Sequence, residues 1–301
     1  MQLHVLGSAA GGGVPQWNCA CGNCAAARDE RLPHRTQASV AASAAGDAWV
    51  LFNVTTDIRA QIERDPALAP RPPRETPIAC VFLTDANIDH CAGLLDLRQS
   101  GDLLVCSTRA VRDTLLRHDM FAPFAKAPRR WAVVDDGPVE AGGLVVRAIG
   151  VTALLPAYAG GTTTAGAACA YMMEGPQGTK ALYAPIFASL DAPLLAAAAE
   201  SDVAFFDGSF FSDDELIAQG LGTRTAAEMG HAPIGGADGT LDALRSCPCP
   251  RKLYTHLNNS NPILDPASEQ ARLVREAGIG IAQDGEIVEP AARADRVRTR
   301  A

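Results

Sequence analysis

The chain has 301 residues, 48% of them hydrophobic and 20% charged, enough for one large domain or two small ones around an ordinary core. Its 26 basic and 34 acidic residues leave a formal charge of -8, which argues against nonspecific nucleic-acid binding. No apolar run approaches the roughly 20 residues that span a bilayer, and the start MQLHVLGSAAGGG lacks the order of a signal peptide. A cytoplasmic location is therefore expected, where nine cysteines read as metal ligands or buried thiols rather than as a disulfide framework.

Short apolar runs recur along the chain between Gly, Pro, Asp and Asn: LHVLGS, AWVLFNV, ACVFLT, LLVCS, GLVVRAIGV, ACAYMME, ALYAPI, VAFFDGS and KLYTHL. Their length and their Val, Ile and Phe content favour strands. Helices are expected between some of them. DIRAQIERD follows the second run, and STRAVRDTLLRH opens on a Ser and a Thr suited to N-capping. DPASEQARLVREAG has Pro266 near its start, Glu269 in its first turn and Gly278 at its end. DGE near residue 285 reads as a tight hairpin. The basic ARADRVRTR reads as a frayed terminus rather than a binding arm. Neither an internal repeat nor a long linker is present.

This order predicts two sheets packed face to face with helices outside; a doubly wound parallel sheet is the alternative. Polar residues gather at strand ends, namely Asn53, Asp57, Asp85, Asp89, His90, Asp207 and His256, where layered α/β folds collect ligands. His4, in the first strand, reads as an edge or surface residue, and His118 as a residue near a helix end. GSAAGGG has neither the G-K-[ST] ending nor the G-x-G-x-x-G spacing of a nucleotide loop. Its glycines read instead as permitting close backbone approach beside a cleft.

WNCACGNCAAARDE carries Cys19, Cys21 and Cys24 within six residues. C-x-C-x-x-C lets three thiolates face one point if the backbone turns at Gly22 and Asn23, and zinc is the default ion for such a set. A structural zinc is expected, its fourth ligand coming from elsewhere, with His34 a candidate by proximity. Cys80, Cys106 and Cys169 read as buried hydrophobes. CPCP at 247–250 reads as a turn without metal.

LTDANIDH resembles the H-x-H-x-D-H motif of the metallo-β-lactamase superfamily, which also follows an apolar strand and precedes a glycine, here Gly93. Asp89 and His90 match the last two ligands; Asp85 and Asn87 stand where two histidines would be. By the same resemblance, Asp207 in FFDGS matches the bridging aspartate. His231 in GHAPI matches a mobile catalytic histidine of related phosphodiesterases, and His256 in LYTHL matches the final ligand. VTALLPAYAGG holds no histidine for the middle ligand. LGSAAGGGVPQWNCACGNC, RTQAS, DIRAQI, LTDANIDHCAGLL, FFDGSFFSDDEL, MGHAPIGG and HLNNSNPIL together resemble the coenzyme PQQ biosynthesis protein B family from residue 6 to about 264.

The resemblance implies an α/β (α+β) fold, a metallo-β-lactamase-like four-layer αββα sandwich. It implies one domain over 1–301 with a cysteine-rich zinc loop at about 15–30. The binuclear ligand set is incomplete. Asp89, His90 and His256 remain, two imidazoles and a carboxylate, which suits mononuclear Fe(II) with open positions; Mn or Zn also fits. Asp85 and Asp207 would orient the ligands, and His231 would exchange protons with substrate. Asn259 becomes a second candidate for the fourth zinc position, since relatives with the cysteine cluster carry a His three residues beyond the one matching His256.

In function, the resemblance implies a place in pyrroloquinoline quinone (PQQ) biosynthesis. The expected activity is iron-dependent oxidation or hydroxylation of a small precursor made from a cross-linked Glu–Tyr peptide. The alternatives are a non-catalytic carrier that passes PQQ or its precursor towards the periplasm, and a degraded hydrolase. The other proteins of that pathway are the expected partners, with a homodimer among the assembly states left open. SFFSDDEL is expected to line the cleft, and Arg59 or backbone amides to meet the substrate's carboxylates.

Overall fold

Two ribbons of alternating side chains, buried on both faces, build the molecule. The computed structural model describes residues 1–290; ARADRVRTR lies outside the described residues. The first sheet contains β1 (Gln2–Gly7), β2 (Ser39–Ser43), β3 (Trp49–Phe52), β4 (Ile78–Phe82), β5 (Leu104–Ser107) and β6 (Arg130–Val133). The second contains β7 (Val139–Ala141), β8 (Leu144–Gly150), β9 (Cys169–Glu174), β10 (Lys180–Ala184), β11 (Val203–Asp207), β12 (Arg251–Thr255) and β13 (Ile279–Ile281). β14 (Ile287–Val288) returns to the first sheet beside β1. The helices are α1 (Gly22–Arg28), α2 (Ile58–Arg64), α3 (Ile88–Cys91), α4 (Arg109–Leu116), α5 (Ala192–Glu200), α6 (Glu215–Ala218), α7 (Leu241–Ser246) and α8 (Glu269–Glu276).

Period-two alternation decides which layer each side chain enters. Phe52, Phe82 and Cys106 of the first sheet meet Tyr171, Tyr183 and Phe205 of the second in the core between the sheets. Their neighbours Leu51, Val81 and Val105 face the other way and pack under Ile58 of α2 and Val111 and Leu115 of α4. On the far side, Leu182, Ala204 and Phe206 pack under α5, α7 and α8. The result is four layers, helices on each outer face of two packed sheets. Continuous apolar runs are what strands buried on both faces require, and each fully buried Leu or Phe contributes about 1.5–3 kcal/mol.

All nine apolar runs became strands. Thr108 accepts from Val111 N at 3.2 Å and Ser268 from Ala271 N at 3.0 Å, capping α4 and α8. The turn at DGE exists, with Gly285 at φ 82°, but it is no hairpin. β13 and β14 belong to different sheets, so the turn carries the chain from one sheet to the other. His4 is not at the surface. It is buried beside Trp49, and its Nδ1 lies 2.7 Å from Asp65 Oδ2. Among the described residues no helix is long and apolar enough to cross a membrane.

β3 to β6 run parallel, as do β10 to β13. The ends of β3, β4, β11 and β12 and the segments that follow them, α3 included, supply Asn53, Asp85–His90, Asp207–Ser209 and His256. α3 is drawn against the loop after β3 by two hydrogen bonds, Val54 N to His90 O at 2.8 Å and Gly93 N to Val54 O at 2.9 Å. A Cβ on Gly93 would lie 2.2 Å from Thr55 O, so only glycine allows that approach. Gly93→Ala is expected to lower stability by about 1–3 kcal/mol through overpacking, read as a lower urea midpoint at an unchanged slope.

Candidate metal centre

Asp85, at the end of the β4 run, is fully buried and accepts from His90 Nδ1 at 2.6 Å and from Asn87 N at 2.8 Å, with the Thr84 hydroxyl at 2.7 Å. Burial opposes its charge, but His90 and these donors hold the carboxyl below its ordinary range. Because Asp85 takes the Nδ1 proton, His90 Nε2 is the free ring atom. It is buried without a hydrogen-bond partner and lies 3.8 Å from Asp89 Oδ2. Burial would favour neutral His90, yet Asp85 and Asp89 raise it to about 9. A cation entering here displaces that proton.

His256 reaches the same point from β12. Its Nε2 lies 3.4 Å from Asp89 Oδ2, and its ring centroid lies 4.9 Å from that of His90. Burial and the neighbouring His90 charge outweigh Asp89 and keep it neutral, its pKa lowered. Donors about 2.1 Å from one ion stand roughly 3–3.5 Å apart at neighbouring vertices, close to these separations. Asp89, His90 and His256 each offer an atom within 4.8 Å of the others. The donor set, with one orphaned imidazole nitrogen, fits a mononuclear ion. His256 adopts a left-handed backbone, φ 57°, a strain of order 1–3 kcal/mol that surrounding contacts must hold.

Asp207 closes β11 without capping a helix. Oδ1 accepts from Ser209 N at 2.9 Å and from its hydroxyl at 2.6 Å; Oδ2 accepts from His231 Nδ1 at 2.6 Å and from Phe187 N at 3.4 Å. Both oxygens are committed, so Asp207 orients its neighbours. Burial disfavours charge on His231, but Asp207 raises its pKa. Ser209 is the residue the sequence reading missed. Its oxygen lies 2.8 Å from His256 Nδ1 and 3.0 Å from His231 Nδ1. Having one proton, which goes to Asp207, the hydroxyl accepts from His256 Nδ1–H and leaves Nε2 towards Asp89. A Ser after Gly in FFDGS reads as a turn, and only the fold brings it under two histidines.

A cleft of about 410 Å³ opens over these groups. Gly11 and Gly12 line it, and a Cβ on Gly11 would lie 3.1 Å from Asp89 Oδ2, so the glycine-rich loop does give close approach. Where the superfamily's middle histidine would be, Leu154, Leu155 and Pro156 face the cleft instead. The Tyr158 hydroxyl pins that segment by donating to Ala86 O. Phe210 of SFFSDDEL lines the cleft and its acids do not. Arg59 is exposed on α2 and is absent from the lining, whereas Arg224 is present.

The cysteines converge as expected, although Gly22 and Asn23 begin α1 rather than a turn. Asn259 Nδ2 sits 3.2, 3.5 and 3.4 Å from the sulfurs of Cys19, Cys21 and Cys24. Its carboxamide thus stands at a fourth corner, and a half-turn would present Oδ1, the ligating atom. His34 does not compete, for its Nε2 is bonded to Ala27 O at 3.0 Å. Burial, aided by the neighbouring sulfurs, pushes Cys24 up to about 11. A cation relieves that crowding, so the set fits zinc.

Asn23 also donates to Asn259 O and Asn261 O, each at 2.9 Å, and Glu215 Oε1 accepts from Ser260 at 2.5 Å. The segment after His256 is therefore clamped on both sides. Burial raises Glu215 to about 7. The folded chain then keeps this proton to higher pH than the unfolded chain, so stability falls as pH rises from about 4.5 to about 7. The stability difference between wild type and Glu215→Gln should shift towards the variant over that window in urea titrations. For Ser209→Ala, metal affinity at the open site should fall about 10–100-fold. Nitrogen NMR of the metal-free variant should show that His256 has lost its Nδ1–H preference, with Ser209→Thr restoring both.

Residues 48–257 match the model of the Beta-lactamase superfamily domain. Coenzyme PQQ synthesis protein B of Methylobacterium sp. (strain 4-46) is 40% identical over 299 residues, spanning 95% of this chain and 98% of that protein. The Rhizobium meliloti (strain 1021) protein of the same name is 39% identical, spanning 95% and 96%. The crystal structure of Zn(2+)-bound PqqB from Methylobacterium extorquens superposes with a TM-score of 0.90 at 33% identity, covering 96% of this chain and all of that one. With β-lactamase superfamily architecture and relatives matched almost end to end, the chain belongs to the coenzyme PQQ synthesis protein B family.

Proposed function

We propose that the chain serves PQQ maturation as an iron-dependent oxidase or hydroxylase of the small precursor made from a cross-linked Glu–Tyr peptide. The observation that carries the reading is the orphaned, buried Nε2 of His90 facing Asp89 and His256. The positions of a second ligand set hold Asp85, Asn87 and an apolar segment, which disfavours two-metal hydrolysis. Fe(II) held there would offer open positions where O2 and substrate meet; Mn or Zn fits the same donors. Asp85 and the Asp207–Ser209 pair fix the imidazoles. Asp207 holds His231 through Nδ1, leaving Nε2 as the atom that gives or takes a proton over the cleft. Cys19, Cys21, Cys24 and Asn259 are read as a structural zinc site, a reading supported by the convergence of the three sulfurs on one carboxamide. Residues 1–301 are read as one cytoplasmic domain that works with other proteins of the pathway.

The test is metal analysis of anaerobically prepared protein, followed by oxygen uptake on the cross-linked precursor with ascorbate as reductant. About one iron per chain and precursor-dependent uptake are expected. Asp89→Ala and His90→Ala should each lose iron and uptake, by at least 100-fold in rate, while retaining zinc. Tight precursor binding without uptake would overturn the oxidase reading in favour of a carrier.

A further inference from the structure

The cleft lining has no lysine and one arginine, Arg224. No carboxylate lies within ion-pair distance of it among the described residues, in a chain with eight more acidic than basic residues. Its Nη2 donates to Glu228 O, which sets the guanidinium along the loop and leaves most of its five N–H donors uncommitted. That loop is joined to the site, because Ala226 N donates to Asp213 O at 2.8 Å and His231 N to Ala226 O at 3.0 Å. Arg224 and His231 thus line the same cleft from one loop. Around it the walls are apolar, formed by Leu154, Pro156, Phe210 and Met229. Gly11 and Gly12 line the same cleft.

We propose that Arg224 is a carboxylate anchor, and that the cleft selects a ligand with a flat apolar body and a carboxylate at one edge. A planar guanidinium pairs with a carboxylate through two parallel hydrogen bonds, fixing orientation as well as adding affinity. The apolar walls take the ring, and the anchor sets which edge of the ring faces Asp89, His90 and His256. Lysine offers a point charge without the fork, so it restores attraction but not alignment. Arg59, on the exposed face of α2, has no such access.

The proposal rests on the reading that this cleft is the reaction site, and its test is chosen to fail separately. The probes are 3-(4-hydroxyphenyl)propionate and its methyl ester, titrated by calorimetry into the metal-loaded full chain. Wild type should bind the acid at least 10-fold more tightly than the ester. Arg224→Gln should weaken the acid about 10–100-fold and leave the ester unchanged, with Arg224→Lys between. Equal binding of acid and ester by wild type, equal acid binding by wild type and Arg224→Gln, or no saturable acid binding by wild type would each overturn the anchor. Missing oxygen uptake with acid selectivity intact would sink the oxidase reading and leave the anchor standing.

Discussion

Two imidazole rings and a carboxylate meet in a buried pocket, and the rest of the molecule has to make that meeting tolerable. Uncompensated charge in an interior costs several kcal/mol or more. Here each histidine is tied on its rear nitrogen, His90 by Asp85 and His256 by Ser209 backed by Asp207. The rear ties determine which nitrogen of each ring faces the site, so the fold aims those nitrogens before any ion arrives. Asp207 serves two rings at once, His231 directly and His256 through a hydroxyl. Its oxygens are thereby spent on protein donors, which is how a position that bridges two metals in hydrolases becomes an orienting group.

The second constraint is reach. His256 sits in a left-handed turn that an unsupported histidine would leave, and the support comes from the opposite end of the chain. The cysteine loop grips Asn259 and Asn261 three and five residues further on, while Glu215 holds Ser260 from the other flank. The three cysteines and the Asp89–His90–His256 cluster therefore both bear on one short segment, 256–261.

Much of this was legible in the residues. Runs such as ACVFLT and VAFFDGS identified strands because a strand buried on both faces has no polar side to blur its pattern. Asp89, His90 and His256 stood out by resemblance to a motif, and the structure brings the three side chains together. What stayed hidden depended on distance in three dimensions. SVAAS gave no β-branched pattern strong enough to mark β2, and β13 and β14 are too short to carry a period. Nothing local to Ser209 or Arg224 in the sequence marks either as facing the cleft. His4 seemed an edge residue because nothing in LHVLGS announces β14 on its outer side or Asp65 beneath it.

That outer strand has a consequence for how the protein is made. Leu3 pairs with Val288, so β1 waits for a partner strand made 285 residues later. Until residue 288 emerges, β1 has an open flank and an uncovered backbone edge, the kind of surface that invites pairing with another chain. Long-range pairing of this sort slows folding. During synthesis the flank of β1 is thus left for a late strand to cover.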